Sequence, residues 1–275
     1  TIDPHEAVVG VPDKNLEKLS EIVKPEETIP ASVTFIDIAG LVKGAHKGEG
    51  LGNQFLGKIR EVDAIIHVVR AFKNENVSHQ HASHAIGSLK QIIEDVEIVN
   101  LELELGEIKD KPVIYVVNID EEKIGSKEAG ELIDKVKDKF KGEVITLSAK
   151  LEEEFIDLSK KEKEEYLDSF KVKDSGLDRL IKSAYKLLDL ITFYTIKGGK
   201  ELHAWSIKKG STAIEATEKV HTDFAKNFIK AEVINVEELF KAGDWKQGRE
   251  KGKINLEGRD YVVKDRDVIE FKIGG

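Results

Sequence analysis

Residues 33–40 read VTFIDIAG, and the fold is decided here. Val33 to Ile38 is a β-branched and aromatic run of buried-strand composition, and it stops at Ala39-Gly40. Glycines at 44, 48, 50 and 52 follow, too many for a stable helix, so a mobile loop is predicted. Working outward, Ala64–Val69 (AIIHVV), Val113–Val117 (VIYVV) and Val144–Leu147 (VITL) are three more short buried strands. Helical patterns lie between them, at Asn53–Glu61, Val96–Ile108 and Lys127–Phe140. In the last of these Leu132, Ile133, Val136 and Phe140 keep helix spacing. Short apolar strands alternating with helices predict an α/β domain, a mainly parallel sheet with helices on both faces. The amphipathic stretch Leu177–Leu190 closes it, giving a first domain at 1–190.

After Leu190 the rhythm changes. Thr192–Ile196 and Leu202–Ile207 alternate like strands with one exposed face, Ala213–Phe228 is helical, and Tyr261–Phe271 reads as a strand pair around Lys264-Asp265. This predicts a small α+β domain of the β-grasp type at 191–275.

Composition bounds the function. At 275 residues, 35% charged and 40% hydrophobic, the chain reads as a soluble globular protein of one large or two modest domains. No apolar run approaches the roughly 20 residues needed to cross a bilayer, so no membrane partner is expected. Zero cysteines exclude disulfides and thiolate metal sites and fit a reducing, cytoplasmic setting. The net charge of −9 gives no global attraction to nucleic acid. From residue 196 onward there are 16 Lys/Arg against 14 Asp/Glu, and before it 27 against 38, which suggests two modules of different character. A natural protein of this length without methionine is improbable. Together with Thr1 at the first position, this suggests that segments and methionines are missing from the chain as written. Nothing indicates an obligate dimer, and a monomer is expected.

Three strand exits carry chemistry. Asp37-Ile38-Ala39-Gly40 is a DxxG at a strand end. Asp37 can hold Mg²⁺ through water, and the Gly40 N–H can meet a γ-phosphate. Alone, the motif is more often a structural turn. Asn118-Ile119-Asp120-Glu121 leaves strand VIYVV, and Ser148-Ala149-Lys150 leaves strand VITL. Ligands of parallel sheets sit at the carboxyl ends of the strands, so the three loops are expected to face one crevice. There Asn118 would brace the neighbouring loops and the Ser-Ala-Lys backbone would cup a base.

The stretch Phe35–Phe72, FIDIAGLVKGAHKGEGLGNQFLGKIREVDAIIHVVRAF, resembles the switch region of the YchF/Obg-like ATPase family, within the Obg-related P-loop NTPases. The likeness continues through Asp95–Leu103 and resumes at Ala204-Trp205, Lys219–Phe228 and Tyr261–Val268, which are similar to that family's C-terminal TGS domain. GTP-specific relatives carry Asn-Lys-x-Asp, whose Asp pairs with the N1 and N2 hydrogens of guanine. Here Ile119 and Glu121 stand in place of Lys and Asp, and a site built for hydrogen bonds discriminates strongly when they are lost. The resemblance therefore implies ATP before GTP, with Mg²⁺, and Ile119 close to the adenine. Leu41 stands where Ras-like relatives place a water-orienting Gln, which implies slow intrinsic hydrolysis unless another group substitutes. His79 matches a histidine proposed for that role, since a neutral imidazole can take a proton from water. Thr1 matches a first-switch Mg²⁺ ligand. His67, inside a strand, reads as structural, and His81 and His84 carry no metal motif.

The chain departs from the family in three places. It has no GxxxxGK[ST] phosphate loop, without which phosphate binding should fail. It runs from Ile108 almost directly to Pro112, where the family inserts a helical hairpin. Gln80–Ile93 matches poorly, which bears on His79. TGS domains generally contact RNA or the ribosome. Lys208, Lys209, Lys226, Lys230, Arg249, Lys251 and Lys253 can supply phosphate contacts and Trp205 and Trp245 can stack on bases, or they are solubilising charges and small-core tryptophans. Two functions follow: a Mg²⁺-dependent ATPase switch that senses or regulates the ribosome, or a nucleotide-gated RNA, ribosome or protein adaptor with negligible turnover.

Overall fold

The computed structural model describes residues 5–38, 51–74, 83–140 and 142–274, and for 51–55 the backbone alone. Along the chain the first half runs β1 (His5–Gly10), α1 (Lys14–Val23), β2 (Glu27–Ile29), β3 (Ser32–Asp37), α2 (Leu51–Glu61), β4 (Ile65–Arg70), α3 (Leu89–Leu105) and β5 (Val113–Asn118). Next come α4 (Lys127–Lys139), β6 (Glu143–Leu147), α5 (Ala149–Glu154), α6 (Lys160–Ser169) and α7 (Gly176–Leu187). The remainder is β7 (Leu190–Lys197), β8 (Glu201–Lys208), α8 (Ala213–Val220), α9 (Thr222–Lys226), β9 (Phe228–Asn235), α10 (Val236–Ala242), α11 (Trp245–Glu250), β10 (Asn255–Glu257) and β11 (Asp267–Ile273). These elements form two compact units, Thr1–Glu6 with Ile36–Ala184, and Ala7–Phe35 with Tyr185–Gly275.

The first unit holds an all-parallel sheet of order β4-β5-β6, with Val68 opposite Val116 and Val116 opposite Ile145. Alternation sends Val69, Tyr115, Val117 and Val144 to one face, where they pack with Ile92 and Val96 of α3 and Ala129 and Val136 of α4. Ile114, Val116, Ile145 and Leu147 are buried on the other side. There the start of α7 lies against Leu147 so closely that a Cβ at Gly176 would come 2.3 Å from the Leu147 Cβ. Burial on both faces is why VIYVV and VITL read as unbroken apolar runs. Ser88, Ser126, Ser148 and Ser159 start α3, α4, α5 and α6, each hydroxyl accepting a bond from a first-turn N–H. The Ser88 cap starts α3 at Leu89, earlier than the expected Val96, and Gly106 ends it.

The second unit is built on a six-stranded sheet of order β10-β9-β11-β7-β8-β2. β7 and β8 are antiparallel, β11 runs parallel to β7 and antiparallel to β9, and β2 runs parallel to β8. An antiparallel hairpin, a helical crossover and a returning strand parallel to the first make the β-grasp order. The expected exposed face is absent. Tyr194, Leu202 and Ala204 pack under Leu16 and Leu19 of α1 and Leu239 of α10, while Ile191, Phe193 and Ile207 pack under Ala213 and Ala216 of α8. The sheet is covered on both sides because a segment distant in sequence closes the second face. For the same reason residues 7–35, expected in the first domain, belong to this unit.

Two further corrections concern the crossover and the end of the chain. The helix expected over Ala213–Phe228 breaks at His221, whose ring Nδ1 accepts the Asp223 N–H at 3.2 Å, and Phe228 already opens β9. In place of a strand pair over Tyr261–Phe271 there is one strand, β11, preceded by a single bridge between Thr212 and Val262. The turn between them is held by Asp267, which accepts from the Tyr261 hydroxyl at 2.7 Å and the Lys264 N–H at 2.9 Å. No described helix is long and apolar enough to cross a membrane.

Candidate functional site

The carboxyl ends of β4, β5 and β6 are tied to one another. The Asn118 carbonyl accepts the Ala71 N–H at 2.8 Å, and the Ile119 N–H donates to the Leu147 carbonyl at 2.9 Å. Past the strands, Asn118 Oδ1 accepts the Ala149 N–H at 3.0 Å, and Asp120 Oδ1 accepts the Lys73 N–H at 3.1 Å. The bracing expected of Asn118 is therefore present, directed to the amide that follows Ser148. A second rung joins the same two loops, where Lys150 Nζ lies 2.9 Å from Glu121 Oε2. The Glu121 carboxylate holds the ammonium of the exposed Lys150 above its ordinary pKa, first through this hydrogen bond and then through its charge.

The remaining residues of these loops act differently from a simple cup. Ser148 is buried, and its hydroxyl caps α5 by accepting the Leu151 N–H at 3.4 Å. The Ala149 amide is engaged by Asn118 and is not free for a base. Ile119 is 2% exposed and packs with Ala129 and Val117 in the core. Apolar contact with an adenine is thus not open to its side chain, which supports the loop from beneath. A hollow of about 190 Å³ lies beside it, lined by Ala71, Gly87, Leu89, Lys123 and Leu132 among others.

Asp37 ends β3 as an exposed residue. Among the described strands β3 pairs with β1 and not with the parallel sheet, so the expected third loop is not brought to the crevice by strand pairing. Thr1, Gly40, Leu41 and His79 lie outside the described residues. His67 is structural: its ring sits 5.8 Å from that of Tyr115, its Nδ1 is buried without a hydrogen-bond partner, and burial lowers its pKa to about 4. Among the described residues no group of three His, Cys, Asp or Glu side chains is placed to hold a metal.

The basic residues of the second unit are largely spoken for. Lys208 donates to the Leu188 carbonyl at 2.8 Å and Lys251 to that of Ala242 at 2.9 Å. Arg249 pairs with Glu232, Lys253 with Glu238 at 3.2 Å, and Lys226 with Asp223 at 3.2 Å. Trp205 donates from Nε1 to Thr195 Oγ1 at 2.9 Å and is flanked by His203 and Phe193, so it is a packing residue. A hollow of about 350 Å³ is lined by Ile22, Ile196, Leu239, Trp245 and Ile269 with Asp244 and Glu270. No cation is among its lining residues, so it does not suit a phosphate. Sequence reasoning missed the Glu121–Lys150 pair, for nothing local links two residues so far apart. The signal available was the parallel order of VIYVV and VITL, which sets their exits side by side.

A family model described as a 50S ribosome-binding GTPase matches residues 1–119. The YchF-GTPase C-terminal model, described as a protein of unknown function, matches residues 190–274. A curated relative from Bacillus subtilis, named Ribosome-binding ATPase YchF, is 36% identical over 99% of this chain and 90% of its own. The protein of the same name from Escherichia coli O157:H7 is 34% identical over 98% and 89%. The Bacillus alignment runs over 335 positions, more than the 275 residues here, so that relative has segments without a counterpart in this chain. A solved structure titled as the Schizosaccharomyces pombe YchF GTPase superposes with a TM-score of 0.78 at 28% identity, covering 99% of this chain and 88% of that one. By sequence over nearly its whole length and by fold, the chain belongs to the YchF family.

Proposed function

We propose that the full-length protein binds and hydrolyses ATP in preference to GTP, with Mg²⁺, as a switch whose nucleotide state sets its affinity for the ribosome. The observation that carries this reading is the double cross-link, Asn118 to Ala149 and Glu121 to Lys150, at the carboxyl ends of the parallel sheet. It preorganises a base site where such sheets bind ligands, and it lacks the Asp geometry that guanine needs. The relatives' printed name, Ribosome-binding ATPase, supports the same assignment. The 275 residues contain no GxxxxGK[ST] motif, and in this reading the phosphates are held by groups outside them.

In this reading Asn118, Glu121 and Lys150 face the base, with Ser148 and Ala149 holding their loop in place. The Asp37 carboxylate, exposed and with no hydrogen-bond or ion-pair partner among the described residues, is a hard oxygen donor suited to Mg²⁺. A lone carboxylate is consistent with an ion held mostly by phosphate oxygens and water. Bound Mg²⁺ would neutralise phosphate charge. Thr1 would add a ligand, the Gly40 N–H would meet the γ-phosphate, and His79 would take the proton of the attacking water that the aliphatic Leu41 cannot orient. The second unit, read as a TGS module, would face RNA or the ribosome. Because five of its seven candidate cations are already engaged, Lys209 and Lys230 are the residues left to contact phosphate.

Turnover by the full-length protein, with and without ribosomes, tests the proposal. ATP hydrolysis with Mg²⁺ is expected, lost in His79→Ala while binding is retained. Absence of turnover under both conditions removes the enzyme reading and leaves a nucleotide-gated adaptor.

A further inference from the structure

The hollow of about 350 Å³ in the second unit is within the size of sites that take one small organic molecule. Its walls come from five elements of that unit. Ile22 of α1, Ile196 of β7, Leu239 of α10 and Ile269 of β11 supply apolar surface, and Trp245 at the start of α11 adds an indole. Leu239 and Ile269 are core residues, while Ile22, Ile196 and Trp245 are half-buried and keep apolar surface open. The two tryptophans of the unit are placed differently. Trp205 donates its N–H to Thr195 and stacks on His203. Trp245 has its Nε1 buried without a hydrogen-bond partner, and among the described residues no ring stacks on it and no cation lies over it. Asp244, beside it in the chain, also lines the hollow. The Asp244 carboxylate accepts the Gln247 backbone N–H at 2.8 Å and Gln247 Nε2 at 3.0 Å, bonds that hold it below the ordinary carboxylate range and so charged. It has no ion-pair partner among the described residues. The other acidic residue of the lining, Glu270, is already offset by Lys272 and by Arg249 at 3.8 Å.

The geometry points to a ligand site for a small amphipathic amine, whose apolar body packs against Ile22, Ile196 and the Trp245 ring while its ammonium is taken by the Asp244 carboxylate. Three interactions act together. Burying the body against half-covered aliphatic side chains removes apolar surface from water on both partners. The ammonium and the carboxylate form a charge-assisted hydrogen bond. The face of an indole attracts a cation that comes within about 6 Å of the ring centroid. The chemistry excludes other heads on the same body. An anionic ligand would meet Asp244 with no cation in the lining, and a purely apolar one would cover an ionised group without pairing it. Every group involved belongs to the second unit, so the assignment is independent of the nucleotide reading.

The test is calorimetric titration of the full-length protein with phenethylamine, phenethyl alcohol and hydrocinnamate, which share a phenyl body and differ in the head. Phenethylamine should bind saturably at about 1 mM or below, a range that ligands of its size reach. It should bind about tenfold tighter than phenethyl alcohol, the size of one charge-assisted bond, and hydrocinnamate should bind most weakly. Asp244→Asn keeps the cap of α11, because Asn caps a helix as well as Asp does. It should abolish the preference for the amine while leaving phenethyl alcohol within about twofold of wild type. Trp245→Leu should weaken phenethylamine by about fivefold or more. Thermal unfolding run in parallel confirms that the variants are folded, and if Trp245→Leu is not, the Asp244 variant decides alone. Equal binding of the amine and the alcohol, or a preference that survives Asp244→Asn, overturns the site. Absence of saturable phenethylamine binding overturns it as well and leaves the nucleotide reading untouched.

Discussion

Asp13 holds the N-terminal segment to the sheet of the second unit, and its replacement by alanine should show how strongly. One carboxylate oxygen caps α1, accepting the N–H groups of Asn15 at 2.8 Å and Leu16 at 3.2 Å. The other accepts the hydroxyl of Tyr194 at 2.7 Å, and Tyr194 is 1% exposed at the centre of the core under α1. Asp13→Ala removes the cap, at about 1 kcal/mol, and leaves the Tyr194 hydroxyl without its acceptor, at about 1–3 kcal/mol. The expected loss is about 2–4 kcal/mol. Both tryptophans, Trp205 and Trp245, belong to this unit, so their fluorescence during urea unfolding reports on it alone. With a slope of about 2 kcal/mol per molar urea, the midpoint should fall by about 1–2 M. Tyr194→Phe, which deletes the hydroxyl and leaves the cap, should cost only about 1 kcal/mol. The double variant should be no less stable than Asp13→Ala, since no buried hydroxyl is then left unpaired. Strict additivity of the two changes, or a smaller effect for Asp13→Ala than for Tyr194→Phe, would refute the reasoning.

Three more outcomes follow. Burial raises the pKa of Tyr185 to about 12 and raises that of Tyr194 and Tyr261 as well. Stability from a raised pKa is complete below the unfolded value, about 10, and is lost as pH rises toward the folded one. The fluorescence midpoint should therefore fall steeply above pH 10, less so in Tyr194→Phe; a flat profile to pH 12 would contradict this. His67, lowered by burial to about 4, has the opposite sign, with stability present above about 6.5 and lost as pH falls through that window. Circular dichroism melts of His67→Phe should lack this acid loss, and an unchanged acid profile would argue against a buried neutral imidazole. Gly125 has φ +70, and a Cβ there would lie 2.3 Å from the Phe170 carbonyl oxygen, whereas Gly198 at φ +58 has nothing within 4 Å. Gly125→Ala should cost more than about 2 kcal/mol and Gly198→Ala about 1 kcal/mol, ranked by thermal melts; equal costs would mean the clash is relieved.

Much of the first unit was legible because β5 and β6 are buried on both faces and so appear as short unbroken apolar runs, with serine caps marking the helix starts between the strands. The strand exits at Asn118 and Ser148 were legible for the same reason, since the order of parallel strands places them together. Less could be read after residue 190. Thr192–Ile196 and Leu202–Ile207 alternate as half-exposed strands do, and only the packing of Leu16 and Leu19 against Tyr194, Leu202 and Ala204 shows that the second face is covered. His221 and the Phe228 strand start were hidden inside a stretch of good helix formers. There a side-chain acceptor on the Asp223 N–H and the pairing of β9 with β11 overrode local propensity.

By itself the sequence determined the family, the α/β character of the first unit, the β-grasp order of the second and the neighbouring strand exits at Asn118 and Ser148. These depend on residue type and on contacts near in sequence, which composition and spacing record directly. Only the tertiary structure decided that residues 7–35 complete the C-terminal sheet, that Ile119 lies in the core and that Glu121 is held by Lys150. It also decided that most basic residues of the second unit already have partners. Each of these depends on which surfaces meet after folding, and the partners stand too far apart in the chain for any local pattern to name them.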